Sequence, residues 1–512
     1  MASLNSSVVV RSNPKLACST ATAAPKDALP QVYMETYGCQ MNVLDTELVQ
    51  GQLGALGYRM AATPQDAGIV LLNTCSVREL CEQKVWSYLG RLGIAKAAHK
   101  ELIIGVIGCM AEREGENIFA RVPHVDVVCG PANLDRLPTL LDNARRNRGM
   151  QLSLAGHTSR RSATLDRAQD GVESLDLSRA TSHVPSGFQA YVRITRGCNK
   201  FCSFCVVPFT RGPELHRAPQ AIVQEVQALV NKGCKEITLI GQTVNHYSHH
   251  DGGKTTSFAD LLHLVHEQVP LLPRLRFLTS YPRDFGDDAL DVMAGCGRIC
   301  NYLHIPAQSG SNSLLKKMNR GYTVEQYLDL LQRARTRMPD ICLAGDMIVG
   351  FPGETEADHL ASIALLQAAK LKSCYVFKYS PRPQTVAARR LVDDVPEALK
   401  KSRNVELLNL QSDISLQMHQ RHLGKRLEVL VEGKNHLRAV ASTRAAPTDL
   451  VQLQRGPAPA QKQTPAHWQR LVGRSRGDEI VAFDGPPSLV GSLCEVVVNR
   501  ATPLTLFAEL PN

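Results

Sequence analysis

Three cysteines set close together are the first residues in this chain equipped for chemistry. Cys198, Cys202 and Cys205 stand in GCNKFCSFC with the spacing C-x3-C-x2-C. Three thiolates on one short loop can ligate three irons of a cubane cluster. Most [4Fe–4S] sites take four cysteines, so a missing fourth leaves one iron open to a small molecule. Zinc competes for the C-x2-C pair. A structural zinc needs a fourth ligand close by, and the nearest histidine, His216, follows an apolar and basic stretch. Phe201 and Phe204, between the thiols, would screen a cluster from water.

A second set is spread more widely. Cys39 lies in YGCQMN, Cys75 in NTCSVRE and Cys109 in GCMAE. Each follows an expected parallel strand and precedes an expected helix. Ligands of open α/β sheets gather beyond the carboxyl ends of the strands, and a helix N-terminus stabilises a thiolate. The same spacing suits three buried core cysteines equally well. Cys129, which also ends a strand, and Cys81, shortly after Cys75, widen the choice. Cys18, Cys234, Cys296, Cys300, Cys342, Cys374 and Cys494 read as small apolar core side chains.

The elements that must position these thiols follow from periodicity. Val32–Tyr37, Ile69–Leu72, Leu102–Ile107 and Val125–Val128 are short apolar runs separated by helical stretches, so residues 31–150 are expected to form an open α/β domain with a parallel sheet. Residues 151–186 mix Ser, Arg, Asp and Gly without a sustained period and read as a linker. From 187 to 420, six candidate strands alternate with helices: Ala190–Ile194, Glu236–Ile240, Leu275–Thr279, Tyr302–Ile305, Leu343–Val349 and Tyr375–Tyr379. That pattern predicts a partial TIM-type (β/α)6 barrel with its site at the carboxyl ends of the strands. In residues 421–512, Leu427–Val431, Glu479–Phe483 and Glu495–Val498 predict a small β-barrel. Inside it, residues 440–476 carry one acid, Asp449, among several Arg and Lys, with four prolines. That stretch reads as a flexible basic loop.

Composition bounds the partners. The 512 residues suffice for two to four domains. With 58 Lys+Arg against 48 Asp+Glu, the net charge of +10 favours an anionic partner such as nucleic acid. No apolar run approaches about 18 residues, so no membrane helix is expected. Fifteen cysteines without a hydrophobic signal segment point to metal or redox use rather than a disulfide framework. Residues 1–30 read as a disordered tail, with an organellar transit peptide as the alternative. The expected location is therefore cytoplasmic, or organellar in the second case.

The chain resembles a known family. The loop GCNKFCSFC on the first strand of such a barrel is the signature of radical S-adenosylmethionine (SAM) enzymes. YGCQMN, NTCSVRE, GCMAE and RGCNKFCSFCVVPFTRG are together similar to the MiaB-type methylthiotransferases, over nearly the whole span from Val32 to Leu504. The resemblance implies two [4Fe–4S] clusters. One is held by Cys198, Cys202 and Cys205, whose open iron chelates SAM and whose electron cleaves it to a radical. An auxiliary cluster is held by Cys39, Cys75 and Cys109. Cys81 and Cys129 match no ligand position. Phe204, Gly241, Gln242 and Ser309 fall where the superfamily contacts SAM, in or near the motifs GQTVNHY, HIPAQSGS and GFPGET.

The implied reaction puts a methylthio group on isopentenyladenosine beside the anticodon of tRNA, one SAM serving as methyl donor and another as radical source. Sister branches act on a ribosomal-protein aspartate (RimO-like) or on threonylcarbamoyl adenosine (MtaB-like). A non-catalytic, cluster-bearing RNA-binding regulator is a further reading. GQTVNHY, RGPELHR and PRPQT depart from common MiaB patterns at single positions, which touches fine substrate contacts. The C-terminal barrel resembles a TRAM domain, an RNA-binding module. A monomer served by an electron donor such as flavodoxin or ferredoxin is the expected state.

Overall fold

The computed structural model describes residues 9–11, 29–76, 79–155, 176, 187–434 and 468–511. They form two compact units: Met1–Val292 with Leu315–Gly321 and Tyr379–Asp394, and Met293–Leu314 with Tyr322–Lys378 and Val395–Asn512.

In the first unit, strands Val32–Thr36, Ile69–Thr74, Ile103–Gly108, Val127–Cys129 and Met150–Ser153 lie side by side in parallel. Ile69–Thr74 and Ile103–Gly108 are buried along their whole length, which explains their unbroken apolar runs. Alternate residues feed two apolar layers. Ile69, Leu71, Ile103 and Ile107 meet Leu44 and Leu48 of helix Gln40–Ala55 and Leu140 of helix Leu137–Asn147. Val70, Leu72, Ile104 and Val106 meet Val85 and Leu89 of helix Glu79–Ala98. The edge is extended by Val9–Arg11, antiparallel to Met150–Ser153. Those three residues therefore depart from the expectation of an unstructured tail: their backbone groups pair with an otherwise open sheet edge. The rest of 1–28 lies outside the described residues.

The same unit holds a second parallel sheet. Glu236–Ile240 sits between Gln189–Arg193 and Arg274–Phe277. The second unit contains the remaining three strands of the expected six, with Cys342–Val349 between Tyr302–His304 and Ser373–Lys378. The six strand–helix repeats thus occur in the expected order. Helix Glu397–Gln420 leads into a closed five-stranded barrel ordered Arg426–Lys434, Gln469–Ser475, Ile480–Gly485, Leu506–Glu509, Leu493–Ala501.

The basic stretch 440–476 needs correction at its end. Gln469–Ser475 is a barrel strand whose Leu471, Gly473 and Ser475 face inward. Arg470 and Arg474 occupy its outward positions and form ion pairs with Asp484 and Asp478. Their charges mask the period-two pattern in the sequence. Residues 435–467 lie outside the described residues.

Candidate functional site

The three N-terminal cysteine loops meet at one end of the first sheet. Cys39 caps helix Gln40–Ala55, Cys75 follows strand Ile69–Thr74, and Cys109 opens helix Cys109–Glu114. Two glycines permit the closeness. A Cβ on Gly38, which has φ +120, would lie 2.4 Å from Cys75 Cβ and 3.0 Å from its Sγ. A Cβ on Gly108 would lie 2.5 Å from Asn73 Oδ1 and 2.7 Å from the Thr74 carbonyl. Side-chain amides lock the loops together: Asn42 donates to the Tyr37 carbonyl at 2.8 Å, and Asn73 donates to the Asn42 carbonyl at 2.8 Å. Cys109 lies within electrostatic reach of Cys39. Burial pushes the Cys109 thiol up, the Arg211 guanidinium opposes the shift, and Cys39 adds to it.

The neighbouring thiols differ from these. Cys129 is fully buried and donates to the Asn133 carbonyl at 3.2 Å. Burial raises it far above the ordinary thiol range, as suits an inert S–H.

The second triad sits on the loop after strand Gln189–Arg193, in the same compact unit. Cys198 Sγ accepts from the Lys200 backbone N–H at 3.5 Å and lies 3.6 Å from Thr243 Oγ1. Arg320 Nη1 donates to Cys202 Sγ at 3.3 Å. Burial, then the nearby Cys202 and Cys198, push the Cys205 thiol up to about 12. Sulfurs that oppose one another's ionisation in this way suit a site where bound cations share their charge.

The polar groups around this loop fit an adjacent ligand. Thr195, Gln242 and Ser280 follow the carboxyl ends of the three strands of this sheet. Thr195 Oγ1, Gln242 Oε1 and Ser280 Oγ are each buried without a hydrogen-bond partner among the described residues. Three such orphans at one sheet end call for a polar molecule to satisfy them. Gly241 and Gln242 follow strand Glu236–Ile240 at this end of the sheet, and Phe204 lies half-buried within the cysteine loop.

Ser309 belongs to the second unit, where its hydroxyl accepts from the Ser311 N–H at 3.1 Å. There HIPAQSGS and GFPGET converge on Asp358. Ser311 and Ser313 hydroxyls donate to its carboxylate, the latter at 3.0 Å, and Thr355 completes a capping box on helix Glu356–Ala369.

Sequence reasoning missed the charged residues that surround these thiols. Arg211, Arg320, Asp45, Arg193 and Asp176 are scattered singly, and no motif marked them apart from the FTRG that contains Arg211. It also misread Cys342. This thiol is buried as expected, but it donates to Glu479 Oε1 at 2.8 Å, and His422 Nε2 lies 3.2 Å from the same oxygen. The Lys372 ammonium, fixed on the Gly477 carbonyl at 2.9 Å, supplies positive charge. Among the described residues, no helix is long and apolar enough to cross a membrane.

Comparison with known proteins places the chain in a family. The radical SAM superfamily profile matches residues 192–366, and that of the uncharacterized protein family UPF0004 matches residues 31–130. These matches define a radical SAM enzyme with an N-terminal partner domain. The tRNA-2-methylthio-N(6)-dimethylallyladenosine synthase of Rhodopirellula baltica is 41% identical over 94% of this chain and 95% of its own length. Those of Syntrophotalea carbinolica and Porphyromonas gingivalis are each 38% identical, over 92% and 94% of this chain and 97% and 95% of their own lengths. The chain belongs to this family of radical SAM methylthiotransferases.

Proposed function

We propose that the chain converts isopentenyladenosine of tRNA, beside the anticodon, to its 2-methylthio derivative. The observation that carries this reading is the presence of two distinct three-thiol sets, each gathered at the end of a parallel sheet. Cys198, Cys202 and Cys205 hold one [4Fe–4S] cluster, and Cys39, Cys75 and Cys109 hold the other. With both clusters and SAM bound, these cofactors supply the electron, the radical and the methylated sulfur for the transfer. The chain's own part is to bind and orient. Thr195, Gln242 and Ser280 offer polar groups to SAM, with Phe204 and Gly241 as further contacts; Ser309 is a SAM contact by the family resemblance alone. An anticodon-loop adenosine is single-stranded and can be splayed out to reach such a site.

Residues 31–150 form the auxiliary-cluster domain, 187–420 the radical SAM domain, and 421–512 the TRAM-like module that holds RNA. The enzyme works as a cytoplasmic monomer and draws electrons from a flavodoxin or ferredoxin. The relatives support tRNA over the ribosomal-protein aspartate and threonylcarbamoyl substrates of the sister branches.

The test uses anaerobically reconstituted enzyme, expected to carry about eight irons, given SAM, a reductant and tRNA bearing isopentenyladenosine. Mass spectrometry of the nucleosides should show the methylthio product. C39A/C75A/C109A should still cleave SAM to deoxyadenosine and form no product. C198A/C202A/C205A should lose cleavage itself. Methylthio-adenosine made by the first variant would overturn the auxiliary-cluster assignment.

A further inference from the structure

A buried group of charges borders the N-terminal thiols, and the reaction described above leaves it without a role. Arg193, Arg196 and Arg211 are 2%, 5% and 5% exposed, and they face the buried carboxylates Asp45 and Asp176. Arg193 Nη1 lies 3.2 Å from Asp45 Oδ1, and its Nη2 lies 2.6 Å from Asp176 Oδ1. Arg211 Nη2 lies 2.8 Å from Asp45 Oδ2 and donates to Asn42 Oδ1 at 2.8 Å. Arg217 touches Asp176 at 3.6 Å but carries its own acid, Glu225, at 2.6 Å. Among the described residues, Arg193 and Arg211 share Asp45, Arg193 also takes Asp176, and Arg196 makes an ion pair with neither. The strain falls on Arg196: burial, then the charge of Arg193, lowers its pKa to about 10.

Surplus positive charge in a buried region calls for an anion, and Arg211 is placed to meet one. Asn42 Oδ1, which accepts from Arg211 Nη2, also lies 3.8 Å from Cys39 Sγ, and the guanidinium carries its charge beside Cys109 and Cys39. Nη2 is taken up by Asp45 and Asn42, while Nη1 is buried with no hydrogen-bond partner from another side chain or the backbone among the described residues, and the guanidinium comes within hydrogen-bonding reach of the Cys109 thiol. A cubane core on three thiolates is a net anion whose sulfurs accept hydrogen bonds, and such bonds and nearby charge set its potential.

We propose that Arg211 is the positioning residue of the auxiliary cluster: Nη1 donates to a sulfur at the Cys39–Cys75–Cys109 site, and the guanidinium charge raises the reduction potential of the cluster held there. This inference rests on the assignment of those cysteines as ligands. Asp45 and Asn42 hold the guanidinium in place.

The test is made in the full-length C198A/C202A/C205A chain, so that only the auxiliary cluster is read. That background should carry about four irons; a chain without iron would refute the ligand assignment itself. With iron present, the midpoint potential is followed by electron paramagnetic resonance during a redox titration. R211Q should shift the potential to more negative values. R211K, which keeps the charge and loses the fork, should shift it less. R193Q breaks the same ion network without touching the thiols, so it should lower the melting temperature and leave the potential unchanged. Equal potentials in R211Q and its parent, or equal shifts in R211Q and R193Q, would overturn the proposal. If R211Q loses its iron, R211K decides: a potential identical to the parent would overturn it, and a negative shift would support it.

Discussion

Arg320 and Cys202, 118 residues apart in the chain, are joined by a hydrogen bond of 3.3 Å from the guanidinium to the sulfur. The Tyr281 ring lies under that guanidinium, 4.5 Å from it. The segment bearing Arg320 also grips the cysteine loop: Asn319 donates to the Phe201 carbonyl at 2.9 Å, and Ser203 donates to the Lys317 carbonyl at 2.8 Å. A loop tied down at its thiol, its hydroxyl and its backbone is organised before any metal arrives.

Replacing Arg320 with Met should therefore loosen the loop and remove a charge-assisted bond, costing about 2 kcal/mol. The expected result is loss of iron and of SAM cleavage at Cys198, Cys202 and Cys205, with the N-terminal site still loaded. Iron analysis with Mössbauer spectroscopy checks this. Full iron content with normal deoxyadenosine formation would refute it.

Gly38→Ala places a methyl group where Cys75 already stands and asks for a positive φ that disfavours Ala. The variant should fold, since the adjoining sheet is untouched, but should hold about half the parental iron. Circular dichroism separates this from global unfolding. An unchanged iron content would show that the Cys39 and Cys75 loops do not need this closeness.

Asp358 gives a pH signature. Partial burial disfavours its charge, but hydrogen bonds from Ser311, Thr355 and Ser313 outweigh that and lower the pKa to about 2. A depressed carboxylate contributes stability that is fully present above its unfolded pKa and is lost as pH falls through the folded value. D358N should therefore melt below the parent at neutral pH, with the gap closing as pH falls from about 4 towards 2. A gap independent of pH would show that the charge contributes nothing.

Glu479 is the acid on which the Cys342 thiol, His422 and Ser475 meet. Burial alone would raise its pKa. His422 and Lys372, with the Cys342 thiol, overcome that and hold it well below the carboxylate range. Glu479→Ala should cost about 3 kcal/mol in chemical denaturation, because it leaves the buried Cys342 thiol and His422 without their acid. In the parent, this contribution should persist above the usual Glu range and fade only in acid. A loss below about 0.5 kcal/mol would contradict the network.

The sequence by itself determined the order of the elements and where the two cysteine sets fall along them. Cysteine spacing and apolar periodicity are local properties, so the two thiol sets, the parallel strands and the six strand–helix repeats were legible from the residues. Strand Gln469–Ser475 was not, because its outward arginines look like loop composition when the pairing strands are unknown. Only the tertiary structure decided that the loops bearing Cys39, Cys75 and Cys109 approach one another. That outcome depends on how closely the loops at Gly38 and Gly108 can approach, which no spacing encodes. The same holds for Arg211 and Asp45, Arg320 and Cys202, and Ser311 and Asp358. Each pair joins positions far apart in the chain, and the energy that joins them comes from burial and charge in folded space, where sequence distance has no meaning.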